Sequence, residues 1–124
     1  MKRLIAAAVL IAFVIGIYIT GYIFVDKTCN TAKTLLSDCV VAYKEQENIE
    51  QTITELKGFW GRKESLLSVF INHGSIDEIE LSIESLLAQS KYKENPMFYE
   101  ISSNLKILLH QIMEDTAIGM HSII

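Results

Sequence analysis

Proline occurs once in this chain of 124 residues, at Pro96, and cysteine twice, at Cys29 and Cys39; there are six glycines, three histidines and one tryptophan, Trp60. No sustained alternation of apolar and polar residues occurs, so strands are not indicated and the chain reads as all helix. Two cysteines ten positions apart on one helix lie about 15 Å apart, beyond the roughly 7 Å between Cα atoms that a disulfide tolerates. They are not expected to bridge. Cys39 falls on an apolar stripe and is expected to be buried, whereas Cys29 reads as a free thiol or a cross-link between two copies. No His-Glu-x-x-His, Gly-x-Ser-x-Gly, phosphate-cradling glycine loop or paired-cysteine metal knuckle occurs. The residues three before His73, His110 and His121 are Phe70, Ile107 and Ile118, so the Glu-x-x-His pairs of a di-iron bundle are missing too. The expectation is a non-enzymatic protein without a cofactor.

Charge is also absent, locally, from Leu4 to Val25: 22 residues, thirteen of them Leu, Ile, Val or Phe, preceded by Lys2 and Arg3 and followed by Asp26. As a helix this run is about 33 Å long, close to the roughly 30 Å hydrocarbon core of a bilayer. Its thirteen large apolar residues together favour insertion by about 4–8 kcal/mol. The rival is a cleaved signal peptide, whose apolar region is about 7–15 residues long and ends in a small-x-small site; the run is longer and no such site follows. A lipoprotein signal fails because Asp26 sits three before Cys29, where an aliphatic residue belongs. We therefore expect residues 1–3 as a cytoplasmic stub, 4–25 as a single transmembrane helix in the cell membrane, and 26–124 as an extracytoplasmic domain, the orientation following from Lys2 and Arg3. Ala8, Ala12, Gly16 and Thr20 recur every fourth residue and line one face of the span, either as a helix-pairing surface or by chance.

Beyond the span, nine basic residues face fifteen acidic ones, a balance of 9 − 15 = −6. Nucleic acid and anionic lipid call for basic patches and are not expected as partners. Three-four spacing over Ala32, Leu35, Cys39 and Ala42, then Ile49, Ile53, Leu56, Trp60, Leu67 and Phe70, predicts two helices parted by a turn at Glu45–Asn48, with Asn48 and Gln51 as a weak capping box, or one continuous helix. A turn is expected at His73–Ser75, where Gly74 suits a left-handed helix end, with a capping box of Ser75 and Glu78 ahead of Ile76, Ile79, Ile83, Leu86 and Leu87. Asn95 and Pro96 mark the last start, before Phe98, Ile101, Leu105, Leu108 and Ile112. An antiparallel bundle of three to four helices follows. It brings His73 and the tail Ile118, Met120, Ile123 and Ile124 near the membrane, the tail either packed in the bundle or touching lipid or a membrane partner.

Few residues invite a functional reading. His110 and Glu114 are an i, i+4 surface pair. Gly58 and Gly61 flank Phe59 and Trp60, so Trp60 is either a core filler or the floor of a partner-binding notch. His73 suits a helix C-terminus through the dipole. The anchor, Trp60, the Leu66-Leu67 pair, Phe70, the Asn72-His73 turn and Ile76-Asp77-x-Ile79 resemble an uncharacterised family of small membrane-anchored proteins of spore-forming Gram-positive bacteria, domain of unknown function 4363. The resemblance implies a single-pass protein facing outward and supplies no activity. Two functions stay open: an interaction module in the cell envelope that binds another envelope or membrane protein or a second copy of itself through the anchor face and the membrane-proximal end, or a sensory ectodomain in which Trp60, His73 and His110 line a cavity for a small ligand or metal and act through a membrane partner. A structural envelope component is a weaker third.

Overall fold

A computed structural model describes residues 1–121. Four helices follow in order: α1 (Lys2–Glu45), α2 (Ile49–Phe70), α3 (His73–Gln89) and α4 (Pro96–His121). α1 packs on α2 and α4, and α3 packs on the same two, so neighbours in sequence lie antiparallel and the first and last helices close the ring. The fold is an all-α four-helix bundle whose first helix runs on past it, and the described residues contain no strand.

The apolar run and the first bundle helix are one element. Nothing between Val25 and Glu45 is proline or glycine, so no residue there breaks the hydrogen-bond ladder, and 44 residues of helix extend about 66 Å. α1 stops where Gln46 turns left-handed at φ 55°. Gln46 N–H then bonds Tyr43 O and Glu47 N–H bonds Ala42 O, which is the Schellman pattern with glutamine standing where glycine is usual. The single long helix through residues 45–48 is thereby excluded. Asn48 does precede α2, but it is itself left-handed at φ 53° and its side chain makes no cap bond; the Asn48–Gln51 capping box does not form.

The α2–α3 turn differs more. Ile71 is extended and Asn72, not Ser75, caps α3, its Oδ1 accepting the N–H of Ser75 at 3.1 Å. A short amide side chain one residue past an extended break outcompetes the later serine, so the Ser75–Glu78 box is not used. Gly74 is helical, not left-handed, and its lack of a side chain serves the cap: a Cβ there would lie 2.9 Å from Asn72 Oδ1. Asn95 caps α4 as expected, accepting from Met97 N–H at 3.1 Å.

The core draws one stripe from each helix: Val25, Cys29, Ala32, Leu36 and Cys39 from α1; Ile53, Leu56, Trp60 and Leu67 from α2; Ile76, Ile79, Ile83 and Leu86 from α3; Phe98, Leu105, Leu109 and Ile112 from α4. Leu36 and Leu109 take places that spacing assigns to Leu35 and Leu108, which are half-buried. At the far end Tyr43 is buried and stacks on Phe98, ring centroids 3.8 Å apart and 9° from parallel. Its hydroxyl donates to Tyr92 O and accepts from Asn95 N–H, tying the α3–α4 loop to the end of α1. Tyr43→Phe keeps the stack and removes both loop bonds, so we expect a loss of about 1–3 kcal/mol in denaturant unfolding, with faster amide exchange at Asn95.

Candidate functional site

The segment of α1 that could meet a partner lies before the bundle begins. From Leu4 to Thr20 every residue is exposed or half-exposed, and Gly21 is the first buried one. Ala8, Ala12, Gly16 and Thr20 form an open stripe on this bare helix. A Cβ at Gly16 would have nothing within 4 Å, and Thr20 Oγ1 donates to Gly16 O at 2.8 Å, which satisfies the hydroxyl inside the helix. A shallow groove of about 530 Å³ runs along Ala12, Gly16 and Thr20 and ends against Phe70.

One residue further along, the situation inverts. A Cβ on Gly21 would sit 2.4 Å from Phe70 Cδ1, and Phe24 meets the same ring at a centroid distance of 6.2 Å. Gly21, absent from the four-residue stripe, is thus the small residue against which another helix of this chain packs. Spacing hides it because it stands next to Thr20 in the stripe and its partner is fifty positions away. Beside it, the ends of α2 and α4 and the α1 face from Val14 to Tyr22 enclose a mostly apolar cleft of about 460 Å³, with Val69, Phe70, Asp115 and Thr116 among its walls.

Trp60, His73 and His110 do not share a cavity. Trp60 is buried in the core and its indole N–H donates to Ile76 O at 3.3 Å. The flanking glycines mark no helix crossing: only Arg62 lies near Gly58, and nothing lies within 4 Å of a Cβ on Gly61. His73 is exposed and opens α3. The proposed dipole stabilisation is therefore reversed, because a protonated ring at a helix N-terminus meets the positive end. His110 is exposed on α4, between Lys33 Nζ at 3.4 Å from Nδ1 and Glu114 Oε1 at 3.0 Å from Nε2. A neutral ring accepting from Lys33 at Nδ1 and donating from Nε2 to Glu114 satisfies all three, linking α4 to α1 at the surface. Among the described residues no group of three His, Cys, Asp or Glu side chains is placed to hold a metal ion. Of the tail, Ile118 is exposed; the side chain of Met120, and Ile123 and Ile124, lie outside the described residues.

Both cysteines are buried and unpaired, and burial pushes each thiol up to about 12. Cys39 matches expectation. Cys29 is the free thiol expected, but it faces the core between α1 and its neighbours, which removes the cross-link between copies. Two groups on α2 are also perturbed: Lys57, raised by its hydrogen bond to Glu84, and Glu64. One of the Glu64 carboxylate oxygens is buried without a partner; burial first, then the adjoining Glu80, to which the neutral form can hydrogen-bond, and Asp77 hold its pKa above the ordinary 4.5. A raised folded-state value means that the folded chain holds the proton more tightly than the unfolded chain. This destabilisation is absent below about pH 4.5 and grows as pH rises through the folded value. Glu64→Gln is therefore expected to raise the unfolding midpoint at pH 7 and to lose that advantage near pH 4, as read by urea titrations at the two pH values.

A family model described as Domain of unknown function (DUF4363) matches residues 20–123. The chain belongs to this family. The DUF4363 match begins at Thr20, beside the residue where the bundle begins to cover α1, and so takes in the whole packed domain and almost none of the bare helix. Neither the curated proteins nor the solved structures contain a match to the chain.

Proposed function

We propose that this DUF4363 protein is a single-pass membrane protein whose bundle faces outward in the cell envelope of a spore-forming Gram-positive bacterium, and that it acts as a non-enzymatic protein–protein interaction module. One observation carries the reading: a single uninterrupted helix is bare and apolar through Thr20 and becomes the first wall of a bundle from Gly21 onward. The bare part has a mean hydropathy of 2.5 over its most apolar window and no charge, which suits lipid. Lys2 and Arg3 at its start favour the cytoplasmic side for that end.

What supports a binding role over a catalytic one is the placement of the reactive groups. The thiols are sealed in the core, His110 is engaged with Lys33 and Glu114, and Trp60 is packed and hydrogen-bonded. The stripe Ala8, Ala12, Gly16 and Thr20 is left open by the bundle, and close approach of another backbone is what such a stripe permits in lipid. Its partner is a transmembrane helix, from a second copy or from another membrane protein.

Cross-linking and pull-down from native membranes test this reading, with Gly16→Leu as the disrupting variant. A Cβ on Gly16 has nothing within 4 Å, so the fold is expected to be unchanged while recovery of the partner falls about tenfold, the effect of losing about 1.4 kcal/mol of helix pairing. Undiminished recovery would remove the stripe from the account.

A further inference from the structure

We propose that the bundle does not stand above the bilayer on a stalk but is seated in its outer leaflet, with Val69 of α2 and Ile118 of α4 against lipid acyl chains. This rests on the reading that the first half of α1 crosses a membrane, and adds to it the surface through which the bundle itself meets lipid.

The argument is one of length. α1 is continuous, so distance along it is depth. If the bundle stood clear of the hydrocarbon, only the uncovered residues Leu4–Thr20 would remain to cross it, 17 residues, about 25 Å of helix against a core of roughly 30 Å. Tilting the helix shortens its projection and widens the gap. The covering elements also reach below Gly21. Phe70 closes the groove formed by Ala12, Gly16 and Thr20, and Val69 and Gly119 line a cleft jointly with Val14, Ile17 and Tyr18. Measured from Leu4, a 30 Å core ends about twenty residues along, near Ile23. The ends of α2 and α4 therefore reach several ångströms below that boundary, at the depth of Ile17–Tyr22.

Their composition agrees with that depth. Val69 is 69% exposed and Ile118 66%, large apolar side chains on two helix ends beside one cleft continuous with the bare face of α1, whose walls are apolar except for Asp115 and Thr116 at the end of α4. Lipid accounts for both the length deficit and the exposed residues; a second copy of the chain would cover the residues and leave the deficit. Asn72 and His73, at the α2–α3 turn just past Phe70, are exposed polar residues and limit how deep the seating can go, since they must reach the headgroup layer, which extends about 5–7 Å beyond the hydrocarbon on each side. Tyr18 and Tyr22 lie on α1 at the depth of these helix ends, toward the outer side of the span, where aromatic rings with a polar tip are favoured.

The test uses the full chain in phosphatidylcholine vesicles, with an environment-sensitive fluorophore on one introduced cysteine at a time: Leu10→Cys, Val69→Cys, Ile118→Cys or Lys93→Cys. All four positions are exposed, so no core contact is removed, and the unsubstituted chain with its two buried thiols is the labelling blank. Quenching is read from nitroxide-bearing phosphatidylcholine and from aqueous iodide. The seated bundle requires labels at Leu10, Val69 and Ile118 to be quenched by the lipid nitroxide at least threefold more than the label at Lys93, with iodide giving the reverse order. Lipid quenching at Leu10 with Val69 and Ile118 open to iodide would leave the span intact and overturn the seating. Val69 and Ile118 shielded from both quenchers would assign the surface to a protein partner and overturn it as well. Iodide access at Leu10 would refute the spanning helix itself, and the seating with it.

Discussion

Trp60→Ala is expected to lower the free energy of unfolding by about 3–5 kcal/mol, a large part of the 5–15 kcal/mol that holds a typical domain together. Trp60 is the largest side chain fully buried in the core, and its indole N–H is bonded to Ile76 O. Truncation removes the apolar surface, opens a cavity between α2 and α3, and leaves the carbonyl of Ile76 without that donor. Trp60→Phe should lose less, because the ring refills most of the volume and only the hydrogen bond is lost with certainty. Urea unfolding of the two variants separates these contributions. Near-equal stability of Trp60→Ala and the unsubstituted chain would show that the α2–α3 seam is not packed as described, and would return Trp60 to the role of a surface notch.

Gly21→Leu is the second large effect. A Cβ at Gly21 overlaps the Phe70 ring, so a leucine there must displace that ring from between α1 and the end of α2. Overpacking of this kind costs about 1–3 kcal/mol. A Cβ at Gly16 meets nothing within 4 Å, and the same change there should leave stability unchanged, so the two glycines of one apolar run divide into a packing position and an open one. A double-mutant cycle makes the assignment specific: Phe70→Ala clears the space, and Gly21→Leu on that background should lose far less than on the unsubstituted chain. Additive losses would show that the two residues do not meet.

Helix type and order were readable from spacing because the apolar stripes of α2 and α3 recur at three and four with little interruption: Ile53, Leu56, Trp60 and Leu67, then Ile76, Ile79, Ile83 and Leu86. The Asn95-Pro96 start was readable for a different reason, since proline has no N–H to lose at the first helical position. Turn chemistry was harder where several capping residues compete within a few positions. Asn72, Gly74 and Ser75 each signal a boundary, and only the extended conformation of Ile71 makes Asn72 the cap. The error carried His73 from the end of a helix to the start of one. Tyr43 escaped notice because its importance lies in two bonds to a loop about fifty residues away, which no local pattern encodes. The burial of Cys29, a free thiol as read, was not legible, since the first turns after an apolar run look like a solvated stalk, whereas α2 and α4 already surround α1 there. Gly21 and Phe70 belong to the same class: a contact between distant residues, set by where α2 ends rather than by what surrounds either residue in sequence.

The continuity of α1 underlies all of this, because the proposed depth of the bundle and the access to the small-residue stripe both rest on it. Pulsed electron spin resonance on the vesicle-bound chain measures it directly, with spin labels at Leu10→Cys and Lys44→Cys, both exposed positions on α1. Thirty-four helical steps predict one narrow distance near ~51 Å. A broad distribution, or a peak shorter by 10 Å or more, would place a break between the apolar run and the bundle and contradict the account.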